Sequence, residues 1–137
     1  MAGTVLVDSG FLVALLNRRD TNHEWAHALA RRCPPPWITS DAALSETFYL
    51  LGTDGLSEFV EILRRGAVTS TFRLIDSTSE VLELMQKYAD VPMALADACL
   101  VRMSEILPDP IVLTTDSDFR IYRRHGRKAL PCIMPNE

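Results

Sequence analysis

The stretch that decides the fold is Thr4-Val5-Leu6-Val7-Asp8, a short aliphatic and β-branched run that ends at a carboxylate. Runs of this kind are typical of a strand that is buried on both faces, as in a parallel sheet. Ser9-Gly10 and the apolar segment FLVALLNRR follow at once, which predicts a helix directly after the strand. A strand that passes straight into a helix favours an α/β fold.

Strands and helices continue to alternate along the chain. Further strands are predicted at residues 37–39, 71–75, 111–114 and 132–134, the last as an edge strand. Helices are predicted at residues 11–19, 22–32, 43–51, 56–65, 79–89 and 93–107, with a short one from about residue 118. Pro92 is placed in the first turn of its helix, where proline is tolerated. The alternation indicates a mostly parallel sheet that helices cover on both faces.

Length and composition exclude several classes of protein. With 137 residues, the chain is expected to form one domain that spans residues 1–137. Because 47% of the residues are hydrophobic and 23% are charged, a buried core is expected and disorder is not. The beginning, MAGTVLVDSG, lacks the basic segment of a signal peptide, and no apolar run is long enough to span a bilayer. Three scattered cysteines without a C-x-x-C pair fit a reducing compartment, so a cytoplasmic protein without a membrane partner is expected.

The charge of the chain is unevenly distributed. A formal net charge of −4 argues against a protein that holds nucleic acid through its overall charge. Five basic residues nevertheless lie in one short stretch near the C-terminus: Arg120, Arg123, Arg124, Arg127 and Lys128. They indicate either a solvated helix end or a patch that contacts phosphates, and the sequence favours neither.

Acidic residues follow two of the predicted strands. Asp8 ends the first strand, and Asp116 follows the fourth, with Asp118 two residues later. In an open parallel sheet, ligands bind at the carboxyl ends of the strands, near the point where the strand order reverses. Aspartate is also a common cap for the helix after a strand, so capping explains each residue alone equally well.

Two further carboxylates lie among apolar residues in predicted helices. Asp97 is surrounded by apolar residues in ALADACLV, and a helix that is apolar all round is normally buried. A buried, unpaired carboxylate is costly, so a cation, a catalytic role or a hydrogen-bond network must compensate it. Capping is not expected here, since the helix is predicted to begin near Pro92. Glu46 shares a helix face with Tyr49 and Leu50, although a surface position explains it too.

Asp8, Glu46, Asp97 and Asp116 come from separate elements and together suggest a metal site. Carboxylates without a nearby His or Cys suit oxygen-preferring cations, Mg²⁺ or Mn²⁺, rather than zinc. Such ions serve phosphoryl chemistry, because they activate a water and neutralise charge on the phosphate and the leaving oxygen. The four acids therefore favour metal-dependent phosphoryl chemistry.

Nearly the whole chain resembles the PIN-domain family of metal-dependent ribonucleases, most closely the VapC-like toxins of bacterial toxin–antitoxin pairs. Four segments carry the resemblance: VLVDSGFLVALLNRRD with Asp8 and Ser9, ALSETFYLL with Glu46, YADVPMALADACLV with Asp97, and VLTTDSDF with Asp116 and Asp118. The first and last motifs are fairly specific together, and the order and spacing of all four acids match the family.

The resemblance implies a three-layer α/β/α sandwich with a central five-stranded, mostly parallel sheet. It also implies a Mg²⁺- or Mn²⁺-dependent endoribonuclease with an RNA substrate, an inhibitory antitoxin as partner, and a homodimer. Metal binding is carried over to Asp8, Glu46, Asp97 and Asp116, whereas Asp118 either joins them or caps the last helix.

The residues expected to support these acids are less specific to the family. Arg120, Arg123 and Arg124 lie close to the last motif and are candidates for contacts to the phosphates of RNA, which carry no sequence information. Small hydroxyl residues at the predicted strand ends, Ser9, Thr114 and Thr115, either orient ligands or serve turn chemistry.

A second hypothesis comes from the segment HEWAH, which matches the H-E-x-x-H motif of zinc peptidases. His23 and His27 would bind zinc, Glu24 would act as general base, and Glu46, 19 residues after His27, is a candidate third ligand. On a helix, however, both histidines lie about 160° from Trp25, on the face expected to point to water. That placement argues against a zinc peptidase.

Two more classes are weighed against the nuclease. A non-catalytic or non-toxin member of the PIN fold, which binds or processes RNA, would be marked by loss of an acid, yet all four are present. A phosphatase of the haloacid-dehalogenase type needs D-x-D at the end of the first strand, but the residue two after Asp8 is Gly10. The acids therefore favour the nuclease, and the RNA target stays open because the family motifs do not fix it.

Overall fold

The computed structural model describes residues 3–136, and its centre is a sheet of five parallel strands. The described residues form the strands β1 (Thr4–Val7), β2 (Trp37–Ile38), β3 (Val68–Thr69), β4 (Pro110–Leu113), β5 (Arg123–Arg124), β6 (Lys128–Ala129) and β7 (Cys132–Ile133). The sheet has the order β3-β2-β1-β4-β7, while β5 and β6 pair as a separate antiparallel hairpin. Residues 1, 2 and 137 of the expected domain lie outside the described residues.

Helices connect the strands from β1 to β4. They are α1 (Ser9–Leu16), α2 (His23–Arg32), α3 (Asp41–Leu51), α4 (Leu56–Arg64), α5 (Thr78–Lys87) and α6 (Leu95–Ile106), with short 3-10 helices at Leu74–Asp76 and Ser117–Arg120. Asp8 caps α1 by accepting a hydrogen bond from the Phe11 amide (2.9 Å), and Ser40 caps α3 by accepting one from the Ala43 amide (3.1 Å). None of the helices within residues 3–136 is both long and apolar enough to cross a membrane.

The two faces of the sheet bury separate hydrophobic cores, because side chains alternate along each strand. Leu6 and Val112 point into a core that includes residues of α5 and α6. Val7 and Leu113 point into the other core, which α1, α2, α3 and α4 cover. The predicted three-layer α/β/α sandwich with a five-stranded parallel sheet is therefore confirmed.

The third strand lies elsewhere than expected. The predicted strand at 71–75 is wrong, since β3 is Val68–Thr69 and Leu74–Asp76 forms a 3-10 helix. Val68 is buried and pairs with Trp37 of β2, whereas Ile75 is 74% exposed. A β-branched residue favours a strand when a neighbouring surface buries it, but in residues 71–75 only Phe72 packs against the core, and the other four residues are exposed.

Helix α6 begins later than predicted. Its first residue is Leu95, and Ala94 before it is extended (φ −78°, ψ 160°), so Pro92 lies in the preceding turn. Asp97 is therefore in the first helical turn, and its Oδ2 accepts a hydrogen bond from the Ala94 amide (3.2 Å). The expectation that Asp97 takes no part in capping is wrong, because that expectation depended on a helix beginning near Pro92.

The basic C-terminal stretch is divided between a helix end, at Arg120, and a β-hairpin that contains Arg123, Arg124 and Lys128. The predicted helix from about residue 118 is limited to the 3-10 helix Ser117–Arg120. After it, Arg123 pairs with Ala129 and Arg124 with Lys128 in the β5–β6 hairpin. Its turn contains His125 and Gly126, both in the left-handed region (φ 53° and 83°), which glycine adopts readily.

Candidate active site

The strand order reverses between β1 and β4, and the candidate site lies where these two strands end. The register pairs Val7 with Leu113, the last residues of the two strands. The Asp8 amide donates to the Leu113 carbonyl (3.3 Å), so Asp8 lies directly beside the segment that leads to Asp116. Crevices at such reversal points are where open α/β sheets bind ligands.

Asp8 is a buried carboxylate, with 6% of the residue exposed. Its Oδ1 accepts a hydrogen bond from the Phe11 amide (2.9 Å), and its Oδ2 accepts one from the Thr114 hydroxyl. The pKa of Asp8 is raised to about 7, mainly by burial and also by the negative charges of Asp116 and Asp97, while the hydrogen bonds from Thr114 and Phe11 act in the opposite direction. Asp8 is therefore both the cap of α1 and an acid close to two others.

Asp97 is half-buried and faces the same cluster. Its Oδ2 accepts hydrogen bonds from the Ala94 amide (3.2 Å) and from the hydroxyl of Tyr122 (3.1 Å). Burial raises the pKa of Asp97 to about 6, and the charges of Asp116 and Glu46 act in the same direction. All four predicted acids therefore interact electrostatically around Asp97 and Asp8.

Glu46 and Asp116 complete the group. Glu46 Oε1 accepts a hydrogen bond from the Ser9 hydroxyl (2.8 Å), which ties α3 to the first turn of α1. Asp116 Oδ1 accepts one from the Asp118 amide (2.9 Å), while the Asp116 amide donates to Thr114 Oγ1 (2.9 Å). Asp116 thus caps its 3-10 helix, as one interpretation of the sequence expected. It also lies near the other acids, as the site hypothesis expected.

Asp118 stands next to this group. Its own amide, rather than its carboxylate, makes the capping hydrogen bond with Asp116. The pKa of Asp118 is raised, first by burial and then by the charge of Asp116. The carboxylate of Asp118 is therefore repelled by the charge of Asp116, but among the described residues it lacks the hydrogen bonds that hold Asp8 and Asp97 in place.

Three of the acids each accept a hydrogen bond from the hydroxyl group of a different residue. Thr114 donates to Asp8, Ser9 donates to Glu46, and Tyr122 donates to Asp97. Ser9 and Thr114 were candidates from the sequence, but Tyr122 was not. No local signal could have identified Tyr122, because it lies 25 positions from Asp97 and meets it only through the tertiary fold.

The electrostatics of the cluster suit a cation, although the side chains are not yet arranged around one. Burial is the largest influence on the pKa of both Asp8 and Asp97, and the charges that raise the two pKa values further are those of neighbouring acids, which a cation would offset. Within residues 3–136, no three His, Cys, Asp or Glu side chains form a group that could hold a metal ion as they stand. Like charges repel, and each carboxylate is turned toward a protein donor instead. Carboxylate oxygens are nevertheless the ligands that Mg²⁺ and Mn²⁺ prefer, so the donor set fits such an ion.

The HEWAH segment lies away from the acids. His23 is half-buried and its Nδ1 donates to the Ala14 carbonyl (2.8 Å), so the expectation that both histidines point to water is wrong for His23. His27 is exposed, and both line a groove of about 600 Å³ that includes Glu58 and Glu61 of α4. Glu46, the expected third zinc ligand, is bonded to Ser9 instead. The part of the chain that the structure describes thus offers no three-ligand zinc site at HEWAH.

The three candidate arginines differ in their surroundings. Arg124 Nη2 donates to the Ser104 carbonyl (2.5 Å), and Arg123 Nη1 donates to the carbonyls of Arg120 (2.7 Å) and Tyr122 (3.0 Å). Both guanidinium groups therefore serve the local fold. Arg120 is exposed and lines a cleft of about 300 Å³ whose wall includes Thr115, Ser117 and Asn22.

Comparison with known proteins agrees with the observed fold. Residues 5–124 match the model of the PIN domain family. Mycobacterium tuberculosis VapC20, described as a sarcin-ricin loop cleaving toxin, is similar in structure with a TM-score of 0.70 and 24% sequence identity. The similarity covers 84% of this chain and 92% of that one. No curated protein sequence matches the chain. Because the family model covers most of its residues, the chain belongs to the PIN domain family.

Proposed function

We propose that this PIN domain protein is a Mg²⁺- or Mn²⁺-dependent endoribonuclease, built as a single domain over residues 1–137. One observation carries the proposal: the fold brings four acids from separate elements close enough to act on one another, and burial together with their mutual repulsion raises the pKa values of Asp8 and Asp97. Placing such charges together is unfavourable unless a cation compensates them. Acids with strongly perturbed pKa values are also a common mark of a functional site.

Asp8, Glu46, Asp97 and Asp116 are the proposed ligands, and Asp118 adds its negative charge beside Asp116. When bound, a divalent ion would activate a water and neutralise charge that develops on the phosphate. The chain's own contribution is to fix the ligands: Ser9 and Thr114 hold Glu46 and Asp8 by hydrogen bonds from their hydroxyls. Hydrogen bonds of this kind orient ligands and tune metal affinity.

Arg120 is the proposed contact to the RNA backbone. It lines the cleft beside Asp116 together with the hydroxyl residues Thr115 and Ser117, which are uncharged donors. Such groups hold a phosphate without reading the base sequence. Arg123 and Arg124 were also expected to contact phosphates, but their hydrogen bonds to backbone carbonyls favour a structural role for them.

The biological setting is proposed by analogy. VapC20 is described as a toxin that cleaves the sarcin-ricin loop, which supports a toxin with an antitoxin partner and a cytoplasmic location for this chain. Helix α3 exposes Tyr49 and Leu50, with 85% and 56% of each residue accessible, and these apolar groups support a homodimer.

Substitution of two acids tests the proposed activity. Asp97→Asn and Asp116→Asn keep the size of each side chain but remove its charge, so each variant should lose Mg²⁺-dependent RNA cleavage almost completely. Cleavage of a structured RNA would be followed on gels with Mg²⁺, with Mn²⁺ and with a chelator. Asp90→Asn is the matched control, because Asp90 is exposed and seven positions from Asp97. Full cleavage by both site variants would refute the proposal.

A PIN-fold protein that binds RNA without cleaving it is the second candidate. The observation that favours it is the orientation of the acids, which within residues 3–136 form no ready-made metal group. This candidate predicts RNA binding that neither Mg²⁺ nor Mn²⁺ converts into cleavage. The same gels, with a binding assay beside them, separate the two functions.

A further inference from the structure

We propose that Tyr122 is a positioning residue, which fixes the carboxylate of Asp97 for a divalent cation. The inference rests on the proposed function, since it assumes that the acids bind such an ion. Tyr122 itself would touch neither the ion nor the RNA. It would act through Asp97 alone.

The contacts of Asp97 are divided unequally between its two oxygens. The Tyr122 hydroxyl (3.1 Å) and the Ala94 amide (3.2 Å) both donate to Oδ2. Among the described residues, no hydrogen bond is made to Oδ1. Two donors on one oxygen fix the plane of the carboxylate, and the other oxygen is left for a ligand.

The ring of Tyr122 is immobilised by packing against other aromatic rings. Tyr122 is fully buried and meets Tyr88 and Phe119 edge-to-face, with ring centroids 5.1 Å and 5.3 Å away. The Tyr88 hydroxyl in turn accepts a hydrogen bond from the Arg123 amide (2.9 Å). Because the ring is already immobilised by packing, the hydroxyl is presented to Asp97 without further loss of freedom.

A neutral donor suits this place better than a cation would. Asp97 is repelled by Asp116 and Glu46, so something must hold it close to them. An arginine would do so by neutralising the cluster, and it would then compete with the metal ion. The Tyr122 hydroxyl orients the carboxylate and leaves the negative charge of the cluster intact.

Metal binding by Tyr122→Phe tests the inference without an RNA substrate. Phenylalanine keeps the ring and its packing and removes the hydroxyl alone. The dissociation constant for Mn²⁺, measured by titration calorimetry, should rise about tenfold or more, as is usual when a ligand loses its supporting hydrogen bond. Tyr88→Phe is the matched control: it removes a hydroxyl from the same aromatic cluster, but one bonded to a backbone amide, so its Mn²⁺ affinity should equal that of the wild type.

A double substitution separates positioning from a general effect on the fold. In the Asp97→Asn background, Tyr122→Phe should weaken Mn²⁺ binding no further, because its target is already changed. Thermal melts without metal check that each variant is folded at the assay temperature. Equal Mn²⁺ affinities of Tyr122→Phe and Tyr88→Phe, or additive effects in the double variant, would overturn the role of Tyr122. Mn²⁺ binding that depends on Asp97 without any RNA cleavage would instead count against the nuclease alone.

Discussion

Asp8 caps helix α1 and also carries a charge that its surroundings disfavour. Its two oxygens are satisfied by the Phe11 amide and the Thr114 hydroxyl, yet burial still raises its pKa to about 7. Had capping been its sole role, asparagine or serine would serve without that electrostatic cost. A residue that weakens the fold while it contributes to a site is common where function opposes stability.

Asp8→Asn should therefore stabilise the metal-free protein at high pH. The folded-state pKa of about 7 lies above the ordinary value of 3.8, so the folded state retains a proton that the unfolded state has lost. Stability then falls as pH rises from about 4 to about 7, by roughly 4 kcal/mol at most for a shift of this size. At pH 8 without metal, Asp8→Asn should melt several degrees higher than the wild type, and near pH 4 the difference should vanish.

The control for the comparison of melting temperatures is to repeat it with Mg²⁺ present. Mg²⁺ should raise the melting temperature of the wild type at pH 8, since an ion that binds only the folded state stabilises it. It should do so much less for Asp8→Asn, which lacks one proposed ligand. A melting temperature of Asp8→Asn below that of the wild type at pH 8 would show that the buried charge is not costly.

At the scale of elements, the site depends on how closely α1 approaches the loop after β4. Gly10 lies in the first turn of α1, and a Cβ built there would collide with the Oγ1 of Thr115. Glycine is a poor helix former, so its presence in a helix is explained by this approach. The close contact keeps Ser9 and Asp8 beside the segment that carries Thr114 and Asp116.

Gly10→Ala should separate the helix from that loop. We expect a loss of about 1–3 kcal/mol in the free energy of unfolding, the usual cost of inserting a methyl group where there is no room. Gly10→Ala combined with Thr115→Ala should recover the loss, because the Cβ of residue 115 lies 3.5 Å away, an ordinary contact. Urea unfolding of the two variants measures both values, and failure of the double variant to recover stability would contradict the explanation.

Elements whose signal is local were predictable from the sequence. β1 and β4 are apolar runs buried on both faces, and the acids that follow them were recognisable by position. The strand predicted at 71–75 failed because propensity there competes with exposure, which the sequence does not reveal. Tyr122 was missed for a related reason: its partner is distant along the chain, and no spacing rule connects them.

At the scale of the whole molecule, the net charge does not show where the positively charged side chains lie. The chain carries −4 overall, yet Arg120 lines a cleft with Thr115 and Ser117, the residues on either side of Asp116, and Arg127 is exposed in the turn region of the hairpin. The sequence could indicate a basic stretch, but it could not distinguish its members. Their distinction comes from the hairpin and from the carbonyls that Arg123 and Arg124 bond.

Arg120→Ala should consequently weaken RNA binding more than Arg127→Ala does. Loss of one phosphate contact lowers the slope of log affinity against log salt by about one, and this is expected for Arg120→Ala. For cleavage, Arg120→Ala should raise KM more than it lowers kcat, since the contact holds RNA before and during the reaction. Binding measured at several salt concentrations tests the difference, and equal slopes for both variants would remove Arg120 from the proposed contact.

The reversal of strand order between β1 and β4 also determines when the site can exist during synthesis. Asp8 is made early and Thr114 late, and the hydrogen bond between them joins residues 106 positions apart. Contacts between such distant residues require the whole intervening chain to be made and its long loop to close. The ribosome must therefore synthesise the chain as far as Thr114 before this hydrogen bond can form, and the carboxylate cluster can assemble only after that point.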